Sequence, residues 1–199
     1  MQISVKTDAK KLSKQLRGIQ KKQIPFATSV ALNRTADKAR DDLSGSMKRY
    51  LDKPTRNVLL YALRAIHSKK TRLVSEVTTV PWASFLWYQV HGGTEHRENK
   101  PLVAPVNQGR VNAFGNIKGK RRNLIKKRDY LGKTRSGDQA VFRDEGRGKN
   151  KRPRLQFIFK DRLTYRPRWP FFKVARASVS KNFTPFFRRA IDQALKTAR

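Results

Sequence analysis

A formal net charge of +33 sets the terms on which this chain can fold. The 199 residues hold 47 Lys and Arg against 14 Asp and Glu. A free globular body with that excess repels itself, so an acidic partner is expected nearby. Nucleic acid is the first candidate, an anionic membrane the second and an acidic protein the third. Solubility alone calls for a net charge of only about 2–8. Hydrophobic residues make up 37%. That is enough for a single domain over 1–199 with a modest core. They cluster in patterned segments, which argues against disorder throughout.

Cysteine is absent. Disulfide scaffolds, thiolate zinc sites and cysteine nucleophiles are therefore excluded. The opening Met1-Gln2-Ile3-Ser4-Val5 lacks the apolar region of a signal peptide. No apolar run nears the roughly 20 residues of a transmembrane helix. A protein made and used in solution, without a membrane, is expected.

Residues 8–22 read as a helix, with Asp8 as N-cap and Leu12, Leu16 and Ile19 at helical spacing. Pro25 suits the first turn of a second helix running to about Tyr50. Ala27, Ala31, Ala39, Leu43 and Met47 share one face of it, with Thr35 filling the gap. So many alanines imply a closely packed neighbour. Lys53-Pro54-Thr55 breaks the helix. Alternation from Leu59 to Val80 around Ser68-Lys69-Lys70-Thr71 reads as a β-hairpin, with a short helix at 55–64 as the alternative. Trp82, Phe85, Trp87 and Tyr88 form an aromatic stretch, read as core, that ends in a glycine-closed helical turn at His91-Gly92-Gly93-Thr94. Pro101 to Val106 reads as a short edge-like extended segment.

Residues 107–153 differ in kind, being rich in Gly, Asn, Lys and Arg. They read as a long, mobile basic excursion. Only Asp138–Arg143 and Leu155–Phe159 look like strands, a hairpin joined around Gly146-Arg147-Gly148. A last helix starts near Pro170, with a broad apolar face from Phe171 and Phe172 through Val174, Ala175, Val179 and Phe183 to Leu195. Pro185 is expected to kink or divide it. The elements together make a mixed α+β chain with long basic loops.

Three basic clusters carry the charge. One is Lys118, Lys120, Arg121, Arg122, Lys126, Lys127 and Arg128; the next is Arg147, Lys149, Lys151, Arg152 and Arg154; the third is Arg162, Arg166 and Arg168. The first two are the candidate contact residues for nucleic acid or an acidic partner. Gly and Asn let such segments follow an irregular polyanion, and Lys and Arg release the counterions condensed on phosphates. A solvated loop without ligand is the bland alternative.

Catalysis is not expected. His91-Gly92-Gly93 is similar to an oxyanion-hole motif, but the nucleophile elbow it needs is missing. His91 and His96 are badly spaced for a metal and have no cysteine beside them. Glu95, Glu98, Asp144 and Glu145 are crowded by basic residues and read as ion pairs. No phosphate-cradling Gly-Lys-Thr loop occurs. No cofactor or metal is expected.

The run Ile24-Pro25-Phe26-Ala27-Thr28-Ser29-Val30-Ala31-Leu32-Asn33-Arg34-Thr35-Ala36 resembles the start of the minor tail protein Z family of long-tailed DNA phages. In that family a helix begins at a proline, is rich in alanine and contains an Asn-Arg pair, here Asn33-Arg34. His91-Gly92-Gly93-Thr94, preceded by Tyr88, is similar to a Gly-Gly-Thr turn in related prophage proteins. Arg168-Trp169-Pro170-Phe171-Phe172 before a closing helix adds to the likeness. Residues 107–153 match only in composition.

The resemblance implies long N- and C-terminal helices packed on a small antiparallel sheet. It also implies a tail-completion role at the head-proximal end of the tail, with copies in a ring around the DNA channel. The partners so implied are other copies, a tail terminator or tube, neck proteins and packaged DNA. The location implied is the virion tail near the head–tail junction, after assembly in the host cytoplasm. The runner-up is a free nucleic-acid-binding protein of ribosomal or nucleoid type. An enzyme such as a nuclease, which needs clustered carboxylates, comes third.

Overall fold

The computed structural model describes residues 23–96, 101–118, 125–146 and 148–197. The fold is mixed α+β: a long helix near each end of the described chain and three small antiparallel sheets between them. The helix expected at 8–22 lies outside the described residues. The described chain groups into two compact units, one from residues 23–47, 57–84 and 170–197, the other from 48–56 and 85–169.

The first unit is built on α1 (Ile24–Tyr50). Its alanine face is buried as the spacing predicts: Ala27, Ala31 and Leu43 are fully buried, and Thr35 and Ala39 nearly so. Thr35 returns its hydroxyl to the Ala31 carbonyl at 2.7 Å, so its polar atom costs nothing in that position. After the break at Lys53, which takes φ 47, comes α2 (Arg56–Tyr61), then β1 (Leu63–Ile66) and β2 (Glu76–Thr79), paired antiparallel. The short helix and the hairpin weighed as alternatives thus both occur, in series. Backbone bonds between Lys69 and Arg72 close the expected turn.

The unit is closed by α4 (Phe171–Thr197), which follows α3 (Phe85–His91) of the second unit in chain order. The closing element runs as one helix through Pro185, so of the two expected outcomes the division does not occur. Pro185 is exposed, while Phe183, Phe186 and Phe187 on either side pack against the alanine cluster that α1 and α4 share. The packed seam is Ala27 and Ala31 of α1 against Ala190 and Ala194 of α4. Small side chains let the backbones approach, and the phenylalanines fill the flanks. Ser178 donates to Asp42 at 2.7 Å further along, so the two helices run antiparallel. The apolar face expected of α4 is narrower than its sequence suggests: Phe172, Val179 and Leu195 are exposed.

The second unit begins with α3 (Phe85–His91). The preceding 3-10 turn, Pro81–Ala83, belongs to the first unit. The aromatic stretch is not core as expected. Trp82, Phe85 and Trp87 are 53%, 42% and 56% exposed, while Ala83 and Leu86 are buried. Each short helical turn has one inward position, and those smaller residues take it. Gly92 turns the chain at φ +71, and a Cβ there would meet Pro167 at 2.9 Å. Gly93 is not part of the turn but opens β3 (Gly93–His96), which pairs antiparallel with β8 (Arg162–Tyr165).

The main sheet has the order β4-β7-β6-β5. Its strands are β4 (Leu102–Pro105), β5 (Asp129–Lys133), β6 (Gln139–Glu145) and β7 (Arg152–Lys160). The expected β6–β7 hairpin is present, and β4 is an edge strand, as its prolines suggest. The excursion 107–153 is largely built structure. It supplies the 3-10 turn Gln108–Arg110, a Val111–Ile117 bridge, all of β5 and β6, and the start of β7. Its Asn and Gly residues make turns: Asn112 accepts from the backbone of Phe114 and Asn116, at 2.9 and 3.0 Å. Val141 and Phe157 form the core of one sheet face, under Val103, Ile117 and Phe159.

Candidate polyanion interface

The strand register decides which basic residues meet. Asp129 pairs with Arg143, Arg143 with Arg154 and Glu145 with Arg152, so β5 begins, β6 ends and β7 begins at one end of the sheet. Lys126, Lys127 and Arg128 enter β5 there, and Lys151 leads into β7 there. Adjacent strands lie about 4.8 Å apart, so the two clusters share a front about 10 Å wide. All six of Lys126, Lys127, Arg128, Lys151, Arg152 and Arg154 are exposed. Only Arg154 has a carboxylate partner among the described residues, Glu145 at 2.7 Å.

The other candidates stand apart. Lys118 donates through Nζ to the Gly109 carbonyl at 3.3 Å and is tied to the base of its own loop. Lys120, Arg121, Arg122 and Arg147 lie outside the described residues, as does the side chain of Lys149. Arg162 follows the far end of β7, about 25 Å or more from Arg152 at the rise of a strand. Arg168 is bound to Asp52.

A buried polar cluster, not foreseen from the sequence, supports the front. Asp129 has its side chain wholly out of solvent. It is bonded by the guanidinium of Arg110, by Nε of Arg143 at 2.7 Å and by the backbone N–H of Lys126 at 2.9 Å. Burial alone would push its carboxyl up. The Lys126 N–H and the two guanidiniums outweigh that and hold it below the usual carboxylate range. Arg110 also donates to Gln156 at 3.1 Å and lies over the Phe157 ring at 5.3 Å. Asn107 donates to the same Gln156 oxygen at 3.0 Å.

The fully buried Gln156 reaches that position through the backbone. Val141 pairs with Phe157 but Phe142 pairs with Leu155, so β7 carries one extra residue there. Such a bulge re-aims a side chain that strict alternation would turn elsewhere. The cluster therefore ties the segment from Asn107 to Arg110 and the start of β5 to one sheet face. It fixes where Lys126–Arg128 emerge. A polar Gln inside a strand of alternating apolar residues was the one available sign.

Glu145 is ion-paired to Arg154 as expected, and Asp144 and Glu95 accept from the hydroxyls of Tyr130 and Tyr165, at 3.0 and 3.2 Å. Glu98 lies outside the described residues. The His91 ring lies against Trp87 at 4.8 Å, tilted by 35°. His96 lines an open polar cavity of about 460 Å³ with Ser136, Asp138, Lys160, Asp161 and Arg162, where Lys160 and Asp138 pair at 3.2 Å. Among the described residues no group of three or more acids or histidines is arranged to hold a metal. None of the described helices is long and apolar enough to cross a membrane.

The arrangement is thus an α+β scaffold whose sheet end carries six exposed cations, five of them without a carboxylate partner among the described residues. Comparison with protein-family models, with characterised proteins and with solved structures finds no match for the chain.

Proposed function

We propose that the protein is a structural subunit of a tailed DNA phage, completing the head-proximal end of the tail and joining it to the neck around the DNA channel. The observation that carries this reading is the sheet end, where two basic clusters converge with five cations left unpaired among the described residues. Copies in a ring would repeat that front around the axis, and weak contacts repeated by symmetry add up through multivalency. Counterion release makes such contacts independent of sequence, which suits a subunit that meets whatever DNA is packaged. The resemblance of 24–36 and 168–172 to tail-completion proteins supplies the phage context. The partners in this reading are other copies, a tail terminator or tube, neck proteins and packaged DNA. The work done is assembly and electrostatics, with no reaction and no cofactor.

The test is genetic. Deleting the coding sequence from the phage that carries it is expected to leave filled heads and separate tails that fail to join, restored by supplying the protein in trans. Normal joined particles in the deletion would overturn the reading.

A second reading is a free nucleic-acid-binding protein. The exposure of the same cations in the single chain favours it. It predicts tight, steeply salt-dependent binding by the monomer, where the tail reading predicts weak binding until copies assemble.

A further inference from the structure

Among the described residues the main sheet ends on β5, which pairs only with β6. Half of its backbone N–H and C=O groups therefore point away from the sheet, and an open edge of this kind is a template for another strand. Leu131 pairs directly with Val141 and shares its face. Val141 is fully buried in the apolar cluster with Phe157, yet Leu131 is 62% exposed. Among the described residues the covered layer stops one strand short and leaves a large apolar side chain beside backbone that no other strand pairs.

Charge flanks that edge on both sides. Lys126, Lys127 and Arg128 precede it, Lys133 ends it and Arg135 follows it, all exposed and without a carboxylate partner among the described residues. The one acid of the strand, Asp129, is turned inward and held by Arg110 and Arg143. Edge lysines can serve simply to repel strand addition. A guarded edge, however, gains nothing from an apolar side chain left open on the core face.

We propose that β5 is a docking edge for an extended acidic segment of another protein. The segment adds as a fifth strand, sets an apolar side chain against Leu131 and places carboxylates by Lys126–Arg128 and Lys133. A second copy of this chain has no such segment to offer. Of its 14 acids, the densest group outside α1 is Asp144-Glu145, already inside the central strand β6. Backbone pairing would give affinity, while Leu131 and the flanking cations would give the preference for an apolar, acidic strand.

The test uses the full chain and a short labelled synthetic peptide alternating Glu and Val around a central Leu. Fluorescence anisotropy near physiological salt reads binding, and amide hydrogen exchange reads its place. The peptide is expected to bind, to protect amides in 129–133, and to bind about tenfold or more weakly to Leu131→Glu. Leu131→Thr, which keeps strand propensity, is expected to weaken it in the same direction, and Leu195→Glu on α4 to leave it unchanged. Equal binding by the Leu131 variants overturns the proposal, as does protection elsewhere. Binding of a short duplex DNA with no peptide protection of β5 also overturns it, and leaves the edge as a nucleic-acid surface.

Discussion

Arg143 donates through Nε to Asp129 at 2.7 Å, and the two residues are direct cross-strand partners on β6 and β5. Arg110 takes the other carboxylate oxygen, with only 9% of its own side chain exposed. Asp129→Asn keeps the shape and removes the charge that faces the buried Arg110 guanidinium. The expected loss is about 3–5 kcal/mol. Chemical denaturation with and without the substitution checks it, and a loss under about 1 kcal/mol would show that the clamp is not holding the sheet end.

The same carboxylate gives the stability a dependence on acid. Asp42 behaves likewise: burial would raise it, but hydrogen bonds from Lys38 and Ser178 and the nearby Lys charges bring it below the usual range. Both groups stay ionised in the folded state at pH values where the unfolded chain takes up protons. Their contribution is complete above about pH 4 and is lost as pH falls through the depressed folded values. The melting temperature is expected to hold near neutrality and to drop below about pH 4, with a shallower drop in Asp129→Asn. An identical profile in the variant would contradict the assignment.

Asn33 is the pin between α1 and the β1–β2 hairpin. Its Oδ1 accepts from the Ser68 backbone at 2.7 Å, from the Ser75 hydroxyl at 2.8 Å and from the Ser68 hydroxyl at 3.0 Å. Its Nδ2 donates to the Ser68 carbonyl at 3.3 Å. Asn33→Ala strands these groups and is expected to cost about 1–3 kcal/mol. Asn33→Asp keeps the acceptor and loses the donor, so its cost is expected to be smaller. Denaturant titration of both variants orders them.

Gly146 lets the β6–β7 hairpin fold back tightly. It sits at φ +121, and a Cβ there would come within 2.5 Å of the Asn150 carbonyl oxygen. Gly146→Ala is expected to strain the loop by about 1–3 kcal/mol and to loosen the approach of Lys151 and Arg152. Limited proteolysis should cut the variant faster between 145 and 152 while cutting α4 at the wild-type rate.

If the sheet end meets phosphates, its cations set the salt dependence. Replacing Lys126, Lys127 and Arg128 together by Ala should lower the slope of log affinity against log salt for duplex DNA by up to about 2.7. Replacing Lys173 and Arg176, exposed on α4, is expected to change it far less. A slope unaltered by the triple change would remove the sheet end from the nucleic-acid account.

Legibility followed periodicity. The face of α1 from Ala27 to Met47 could be read because helical spacing and small side chains agree there. The β6–β7 hairpin was readable from short apolar alternation. β5 was not, because Asp-Tyr-Leu-Gly-Lys alternates weakly and its charge resembles the flanking loops. The basic clusters were visible in the sequence, but their meeting depends on the register between β5, β6 and β7. The Arg110–Asp129–Gln156 cluster joins residues up to 46 apart in the chain through a bulge, and the polar Gln156 within an apolar strand is the only local sign of it. Trp169, between β8 and α4, is buried to 1% exposure, and nothing in the local pattern marks it as core.

The central claim is a place in a particle. The most direct measurement is imaging of purified virions at a resolution that traces side chains. The account predicts this chain in a ring at the head–tail junction, with the end of the sheet at Lys126–Arg128 and Lys151–Arg154 turned toward the channel or a neighbouring subunit. Virions that lack the chain, or carry it far from the junction, would contradict it.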